Sequence, residues 1–269
     1  MLIEKLSNLR VEQHAIASQF LKRYVIVDCY LPETVSVKNG LSLLLINDGQ
    51  DLGQMLFSSM LDQLLGADKI ENLFCAGIHV GKDRLNEYGT AGVPDYQGFG
   101  AKAEAYHRFI LEELLPFLHA QFEVRSFKQK AFAGFSLGGL TAIDITWHHP
   151  KIFSLSGVFS GSLWWRSKGL GGDYDDDTDR IPHQKIRKGK HRSGLRFYFT
   201  TGSLDETADR NNNGVIDSID DTKDLIIELE KKGYRLGHDI AYVNYEDGRH
   251  DVPTWGRAMR EFLLWGWGR

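Results

Sequence analysis

The chain has 269 residues and a net charge of −4, and 42% of its residues are hydrophobic and 25% are charged, which excludes a disordered protein and supplies the core of one α/β domain. Acidic and basic residues are mixed along the chain, so no basic face is expected for nucleic acid, and no run of about 18 apolar residues is present to cross a membrane. Two cysteines and an N-terminus without the apolar stretch of a signal peptide predict a cytoplasmic protein without a disulfide framework.

Apolar residues recur along the chain with alternating strand and helix periods. The predicted strands are residues 24–31, 41–46, 73–80, 130–133, 153–159, 195–200 and 240–245. The predicted helices are residues 52–65, 101–122, 137–148, 224–232 and 252–265, with a kink expected at Pro116. This alternation predicts an α/β fold with a mostly parallel central sheet and helices on both faces, because each crossover connection lays its helix back on the sheet.

Residues 166–193 interrupt the alternation within the predicted single domain of residues 1–269. They contain an acidic run, Asp173–Asp179, followed by a basic run, Lys185–Arg192. Blocks of like charge are usually solvated. The sequence therefore predicts a charged surface insertion, either a solvated loop or a cap over the functional site.

The segment Gly134-Phe135-Ser136-Leu137-Gly138 lies between a predicted strand and a predicted helix. In this context the pattern G-x-S-x-G forms a sharp turn, with glycines where side chains would collide with neighbouring elements. Such a turn exposes the Ser136 hydroxyl at the edge of the sheet, where it can act as a nucleophile. A serine that only caps the following helix is the alternative interpretation.

A serine hydroxyl becomes a good nucleophile when a base takes its proton, usually a histidine held by a carboxylate. Asp205 and His250 each follow a predicted strand. Because the carboxyl ends of parallel strands share one edge of the sheet, Ser136, Asp205 and His250 are predicted to meet there as a catalytic triad. Glu206 is the alternative carboxylate for orienting His250.

An oxyanion that forms when the serine attacks a carbonyl carbon needs backbone N–H donors. The first predicted donor is Leu137, the residue after the nucleophile. The second is Gln50, which follows a buried strand in the turn Asp48-Gly49-Gln50. A plain strand-to-helix turn without a catalytic role is the alternative for the segment around Gln50.

Several segments together resemble the esterase D and enterochelin esterase group of α/β-hydrolases. These segments are residues 48–50, 83–89, 134–139, 160–165, 202–206 and 248–251. The resemblance implies the α/β-hydrolase fold and a serine esterase acting on siderophore trilactones, acyl sugars or small acyl esters, or, in one branch, transferring acyl groups to sugars. It also implies a triad of Ser136, Asp205 and His250 and an oxyanion hole formed by the amides of Gln50 and Leu137.

Trp164 and Trp165 follow the strand that comes after the nucleophile helix, so their side chains could overhang the site and bind an aromatic acyl group. Packing in the core is the equally supported alternative. Arg84 and Glu87 also follow a strand on the ligand side, and we expect an internal ion pair that fixes their loop.

Residues 209–220 fit the pattern of an EF-hand calcium loop. The predicted ligands are the side chains of Asp209, Asn211, Asn213, Asp217 and Asp220 and the carbonyl of Val215. Oxygen ligands at this spacing, with a glycine at the sharp turn, suit a hard cation such as Ca²⁺. An asparagine-rich turn that caps the next helix without a metal is the alternative.

Together these features predict a serine carboxylic ester hydrolase with a small-molecule ester as substrate, a structural Ca²⁺ and no organic cofactor. Acyl transfer by the same triad and a catalytically silent calcium-binding module are the alternatives. The acyl group, the alcohol and the oligomeric state are left open by the sequence.

Overall fold

A sheet of nine strands forms the centre of the computed structural model, which describes residues 1–33 and 40–269. The strands are β1 Leu2–Lys5, β2 Leu9–Ser18, β3 Arg23–Pro32, β4 Ser42–Asn47, β5 Leu73–Ile78, β6 Lys130–Phe135, β7 Leu155–Phe159, β8 Arg196–Leu204 and β9 Ile240–Arg249. Their order in the sheet is β1-β2-β3-β5-β4-β6-β7-β8-β9. Pairing is antiparallel from β1 through β3 to β5 and parallel from β5 through β4 to β9.

Helices cover both faces of this sheet. They are α1 Phe57–Gly66, α2 Arg84–Glu87, α3 Ala103–Arg108, α4 Leu115–Gln121, α5 Leu137–His148, α6 Asp176–Asp179, α7 Ile181–Lys188, α8 Asp217–Lys231 and α9 Val252–Trp267. One apolar cluster contains Tyr106, Leu140 and Leu225, and a second contains Leu61 and Phe262. The two clusters lie on opposite faces, because neighbouring strand residues such as Leu44 and Leu45 divide between them. The predicted mostly parallel sheet with helices on both faces is confirmed.

In the described part of the chain, no helix combines the length and the apolar character that crossing a bilayer requires. The cytoplasmic location stays a prediction.

Two N-terminal strands, β1 and β2, were not predicted. In β2 the residues Leu9, Val11 and Ile16 are buried, whereas Glu12 and His14 between them are half-buried. Because of these polar residues, the sequence of β2 lacks a clear alternation of apolar and polar residues. The strand forms because β2 pairs with β3 over its whole length. A strand of this kind obtains its structure from pairing with its neighbours rather than from its own apolar pattern.

Three predicted helices have clearly different bounds in the structure. The helix predicted to begin at residue 52 begins at Phe57. The helix predicted to begin at residue 224 begins at Asp217, so the last part of the predicted calcium loop is its first turn. The helix predicted for residues 101–122 is divided into α3, a π-helical stretch Phe109–Leu114 and α4. Pro116 lies at the start of α4, and because proline lacks the N–H for a regular helical bond, the helix changes its bonding pattern just before it.

The insertion at residues 166–193 is more ordered than a solvated loop. It contains α6 and α7, and α7 packs against α8. The buried Arg180 donates to Asp221 and Asp224 of α8 at 2.8 Å each. Two charged residues of the insertion, Arg180 and Arg187, therefore form ion pairs with α8.

His183 of α7 is fully buried, and its Nε2 lies 2.8 Å from the carbonyl oxygen of Asp221. Burial lowers the pKa of His183 to about 3, and the positive charge of Arg180 acts in the same direction. In the unfolded chain the ring titrates near its ordinary pKa of about 6.5, so the unfolded state binds more protons below that pH and folding stability falls as the pH falls.

We expect His183→Gln to make the free energy of unfolding less dependent on pH in the acid range. Between about pH 7 and about pH 5 the wild type should lose about 2 kcal/mol more unfolding free energy than the variant. Urea unfolding at a series of pH values measures the difference, with the exposed His191→Gln as the control that keeps the wild-type slope. Parallel pH curves for wild type and His183→Gln would contradict the assignment.

Candidate active site

Ser136 lies in the turn between β6 and α5 and has the strained backbone angles φ 53° and ψ −122°. A side chain at Gly134 would collide with the Gly138 carbonyl group, and a Cβ at Gly138 would lie 2.8 Å from the Asp48 carboxylate. The turn therefore requires glycine at both positions. This is the local geometry that the pattern G-x-S-x-G predicts, and it places Ser136 beyond the end of β6.

The Ser136 hydroxyl opens onto a pocket of about 300 Å³ at the carboxyl ends of the parallel strands. Its lining residues are Ser136, Leu137, Ser160, Gly161, Ser162, Trp164, Asp205, Glu206, Ser218 and His250. The hydroxyl oxygens of Ser136 and Ser162 are 3.2 Å apart. The structure thus brings the three predicted triad residues to one pocket, together with Ser162, Ser160 and Ser218, which sequence reasoning missed.

Asp205 follows β8, and one of its carboxylate oxygens, Oδ2, accepts a hydrogen bond from the Gly202 N–H at 2.9 Å. The other oxygen, Oδ1, is buried and has no partner among the described residues. A buried carboxylate oxygen without a donor is costly, so this atom is available for a donor such as an imidazole N–H.

His250 follows β9 and packs edge-on against Trp255, with the ring centroids 5.0 Å apart. Burial lowers the pKa of His250, whereas the charge of Asp205 acts in the opposite direction. No hydrogen bond joins His250 to Ser136 or Asp205 within the described residues. Such bonds are often long before substrate binds. The lowered pKa favours the neutral imidazole that a general base needs.

Contact between two glycines sets the distance between the loops of Asp205 and His250. A Cβ at Gly202 would lie 2.5 Å from the Gly248 carbonyl group and 2.8 Å from Oδ1 of Asp205. Because the backbones of β8 and β9 touch at this point, Asp205 and His250 are carried by adjacent strand ends.

The two predicted oxyanion donors occupy different environments. Leu137 is the first residue of α5 and lines the pocket, and its N–H belongs to the helix start, where backbone donors lack helical acceptors. Gln50 lies in the short 3₁₀ helix Gly49–Asp51 after β4, and its exposed side chain accepts from the Val80 N–H at 3.2 Å. Gln50 is outside the lining of the pocket.

The β4 loop is joined to the nucleophile turn by polar contacts that the sequence did not indicate. The Asn47 side chain donates to the Gly138 carbonyl at 2.8 Å and accepts from the Tyr106 hydroxyl at 2.6 Å. Arg84 donates to both carboxylate oxygens of Asp48 at 2.8 Å. The predicted ion pair at Arg84 exists, but its partner is Asp48.

The two tryptophans have different roles. Trp164 is half-buried and lines the pocket, whereas Trp165 is 1% exposed. The Trp165 ring fills the space beside Gly89 and Gly100, where added Cβ atoms would approach it to 3.0 Å and 2.9 Å. Trp165 is therefore a core residue, and Trp164 is the one of the pair that faces the pocket.

The predicted calcium loop gathers four of its side chains. The Asp209 carboxylate accepts from the backbone N–H groups of Asn213 and Gly214 at 3.1 Å and 2.9 Å. The side-chain amides of Asn211 and Asn213 lie 3.2 Å and 2.7 Å from Oδ2 of Asp220. These contacts join Asn211 and Asn213 to Asp220, and they join the Asp209 carboxylate to the backbone of Asn213 and Gly214.

Asp217, a fifth predicted ligand, is engaged elsewhere. Its Oδ1 accepts from the Arg210 backbone N–H at 2.9 Å and forms an ion pair with the Arg210 guanidinium at 3.1 Å. Val215, the predicted carbonyl ligand, donates its backbone N–H to the Asn213 side chain at 2.7 Å.

A separate group of metal-ligand types, His107, Asp144 and His148, lies within 4.8 Å at the end of α5. The Lys185 ammonium lies 3.0 Å from Oδ1 of Asp144, and the Ala91 N–H donates to its other oxygen at 2.8 Å. Since the Lys185 ammonium already neutralises the Asp144 carboxylate, we interpret the group as part of an ion pair between α5 and α7.

Comparison with known proteins agrees with this architecture. A model of the family described as "Putative esterase" matches residues 18–265. No curated protein is similar enough in sequence to match the chain.

Among solved structures, the enterobactin esterase FES from Shigella flexneri has 20% identity and a TM-score of 0.70, over 94% of this chain and 58% of that chain. The siderophore hydrolase EstA from Aspergillus nidulans has 17% identity and a TM-score of 0.70, over 98% and 97% of the two chains. An IroE-like serine hydrolase from Shewanella oneidensis has 20% identity and a TM-score of 0.68, over 94% and 80%. The present chain thus spans little more than half of the length of FES. The chain belongs to the esterase family whose model covers most of its length, and it has the α/β-hydrolase fold.

Proposed function

We propose that the protein hydrolyses carboxylic esters through an acyl-enzyme on Ser136. The observation that carries this proposal is the strained turn that presents Ser136 to the pocket that Asp205 and His250 also line. Membership of the esterase family supports ester hydrolysis independently.

In the first half of the reaction, His250 takes the proton of the Ser136 hydroxyl as its oxygen attacks the ester carbonyl carbon. The oxyanion that forms accepts a hydrogen bond from the Leu137 N–H, and the proposed second donor is the N–H of Gln50, which would have to approach from outside the pocket lining. Collapse of this intermediate breaks the ester C–O bond, and the alcohol leaves with the proton from His250. Asp205 holds the imidazole in the required tautomer through its free Oδ1.

In the second half, His250 removes a proton from water as the water oxygen attacks the acyl carbon. Collapse of the intermediate breaks the bond to Ser136, His250 returns the proton to the Ser136 oxygen, and the carboxylic acid leaves. The pocket volume of about 300 Å³ favours small acyl or aryl esters. Trp164 supplies the aromatic face of the pocket. The cyclic ester of a siderophore is the larger substrate that the structural neighbours suggest.

Ser136→Ala should lower kcat for aryl esters by at least about a thousandfold while the fold is retained, because the hydroxyl supplies the attacking atom. Hydrolysis of para-nitrophenyl esters and circular dichroism measure the two effects. Ser59→Ala, which changes an exposed serine of α1, is the matched control. A variant that keeps more than about a hundredth of wild-type kcat would rule out Ser136 as the nucleophile.

Asp205→Asn should lower kcat by about a thousandfold or more, because the amide favours the wrong tautomer of His250. Glu206→Gln should cost less than about tenfold on a neutral ester, because Glu206 hydrogen-bonds to the start of α8 rather than to the histidine. Steady-state kinetics of both folded variants give the ranking. The reverse ranking would assign the orienting carboxylate to Glu206.

We also propose that residues 209–220 bind a structural Ca²⁺. The EF-hand spacing and the clustering of Asp209, Asn211, Asn213 and Asp220 support this assignment. The loop begins four residues after Asp205 and leads into α8, so a bound cation would stabilise the segment that carries the acid. The metal has no step in the proposed chemistry.

Millimolar calcium should raise the melting temperature and a chelator should lower it, because the cation binds the folded loop more tightly than the unfolded one. Asp209→Ala combined with Asp220→Ala should abolish this dependence and the calcium response of kcat. These two positions are preferred to Asp217, whose loss would also break its ion pair with Arg210. Asp173→Ala is the control for losing an exposed carboxylate. Melting that is indifferent to calcium and chelator would leave the loop as a helix-capping turn.

A further inference from the structure

Glu206 places an open carboxylate oxygen at the wall of the Ser136 pocket. Its Oε1 accepts a hydrogen bond from the Ser218 N–H at the start of α8 at 2.6 Å. Its Oε2 has no hydrogen-bond or ionic partner among the described residues, and it is not enclosed by protein. The side chain is thus held by one oxygen, and the other is free to accept from a molecule in the pocket.

The charged side chains in the described lining of this pocket include two carboxylates and no lysine or arginine. The two carboxylates are those of Asp205 and Glu206. Arg84 is committed to the two oxygens of Asp48. Arg166 lies 5.5 Å from the centroid of the Trp164 ring and is outside the lining.

The neighbouring carboxylates also affect the pKa of Glu206. Burial raises the pKa of Glu206, and the charges of Asp217 and Asp205 raise it further, while the hydrogen bond from Ser218 lowers it. A positive charge placed in the pocket would relieve this repulsion, whereas a second negative charge would increase it.

We propose that Glu206 selects esters that carry a positively charged ammonium group, so that cationic esters are the preferred substrates of the Ser136 site. The inference rests on the proposed function, because it concerns the same pocket. The free oxygen of Glu206 supplies the charged partner, and the half-buried Trp164 supplies an aromatic face on which a methylated ammonium can pack. Discrimination arises from attraction of the cation and from repulsion of carboxylate-bearing esters.

The test compares esters of the same shape and different charge. On the alcohol side the pair is butyrylcholine and neohexyl butyrate, in which carbon replaces the quaternary nitrogen. On the acyl side the para-nitrophenyl ester of trimethylammoniobutyrate is compared with its uncharged carbon isostere and with the hydroxyl-bearing and carboxylate-bearing analogues. Each kcat/KM is divided by the rate of hydroxide-catalysed hydrolysis of that ester, which removes differences in intrinsic reactivity.

For at least one pair the wild type should prefer the cationic ester by about fivefold or more, the effect of one partly exposed ion pair. Glu206→Gln should reduce this ratio towards one, and its amide oxygen can still accept from the Ser218 N–H, so that the start of α8 is preserved. Glu230→Gln removes the same charge from the exposed opposite end of α8 and should keep the wild-type ratio.

Equal normalised rates for both pairs, with hydrolysis that depends on Ser136, would overturn the inference and leave the proposed function intact. An unchanged ratio in Glu206→Gln would overturn the role of Glu206, and an equal preference for the hydroxyl-bearing ester would overturn selection by charge. Absence of any hydrolysis that depends on Ser136 would overturn the proposed function and this inference together.

Discussion

The reversal of the chain at Ser136 depends on direct contact between backbones, because Gly134 and Gly138 lie too close to tolerate side chains. The contact holds Ser136 at φ 53°, and a non-glycine residue in such a conformation costs about 1–3 kcal/mol. Among the hydrogen bonds of the turn, three join it to other segments of the chain. They run from Ser136 N–H to the Phe159 carbonyl, from Ser162 N–H to the Ser136 carbonyl and from the Asn47 side chain to the Gly138 carbonyl. At about 1 kcal/mol each they offset the strain. The turn is therefore stable only where β4, β6 and β7 already lie side by side.

The same kind of contact recurs at the other end of the site, where Gly202 and Gly248 bring the ends of β8 and β9 together. Asp205 lies three residues after Gly202, and His250 lies two residues after Gly248. The sheet therefore fixes the positions of the two glycines, and only two or three residues separate each glycine from Asp205 or His250 at the pocket. The parallel sheet positions the site through backbone contacts, and the side chains supply the chemistry.

Much of this arrangement could be predicted from the sequence, because it depends on local patterns. Apolar runs identified the parallel strands, and the glycines around Ser136 identified the turn. The partners of charged residues could not be predicted in the same way. Arg84 pairs with Asp48 and Glu87 pairs with Arg23, and each pair joins segments that meet only after the sheet has formed.

The contact of Glu206, a residue of the Ser136 pocket, could not be predicted from the sequence either. Its proximity to Asp205 in the sequence made it an alternative acid, but its contact with Ser218 depends on α8 beginning at Asp217. The start of α8 at Asp217 could not be predicted, because the residues of its first turn also fit the pattern of a calcium loop. A segment that satisfies two patterns at once cannot be assigned to one of them before the tertiary contacts are known.

The buried arginines between the insertion and α8 restrict how this protein can change during evolution. Asp221 is 1% exposed and contacts Arg180 of the insertion and Arg210 of the 209–220 loop at 2.8 Å each. Removing one member of such a network leaves a buried charge without its counter-charge, which costs about 3–5 kcal/mol. The insertion and the 209–220 loop are therefore energetically coupled, and replacing either segment alone should lower the stability of the fold. Length variation is tolerated instead at the exposed stretch around Gly171 and Gly172, where an added side chain meets no other atom.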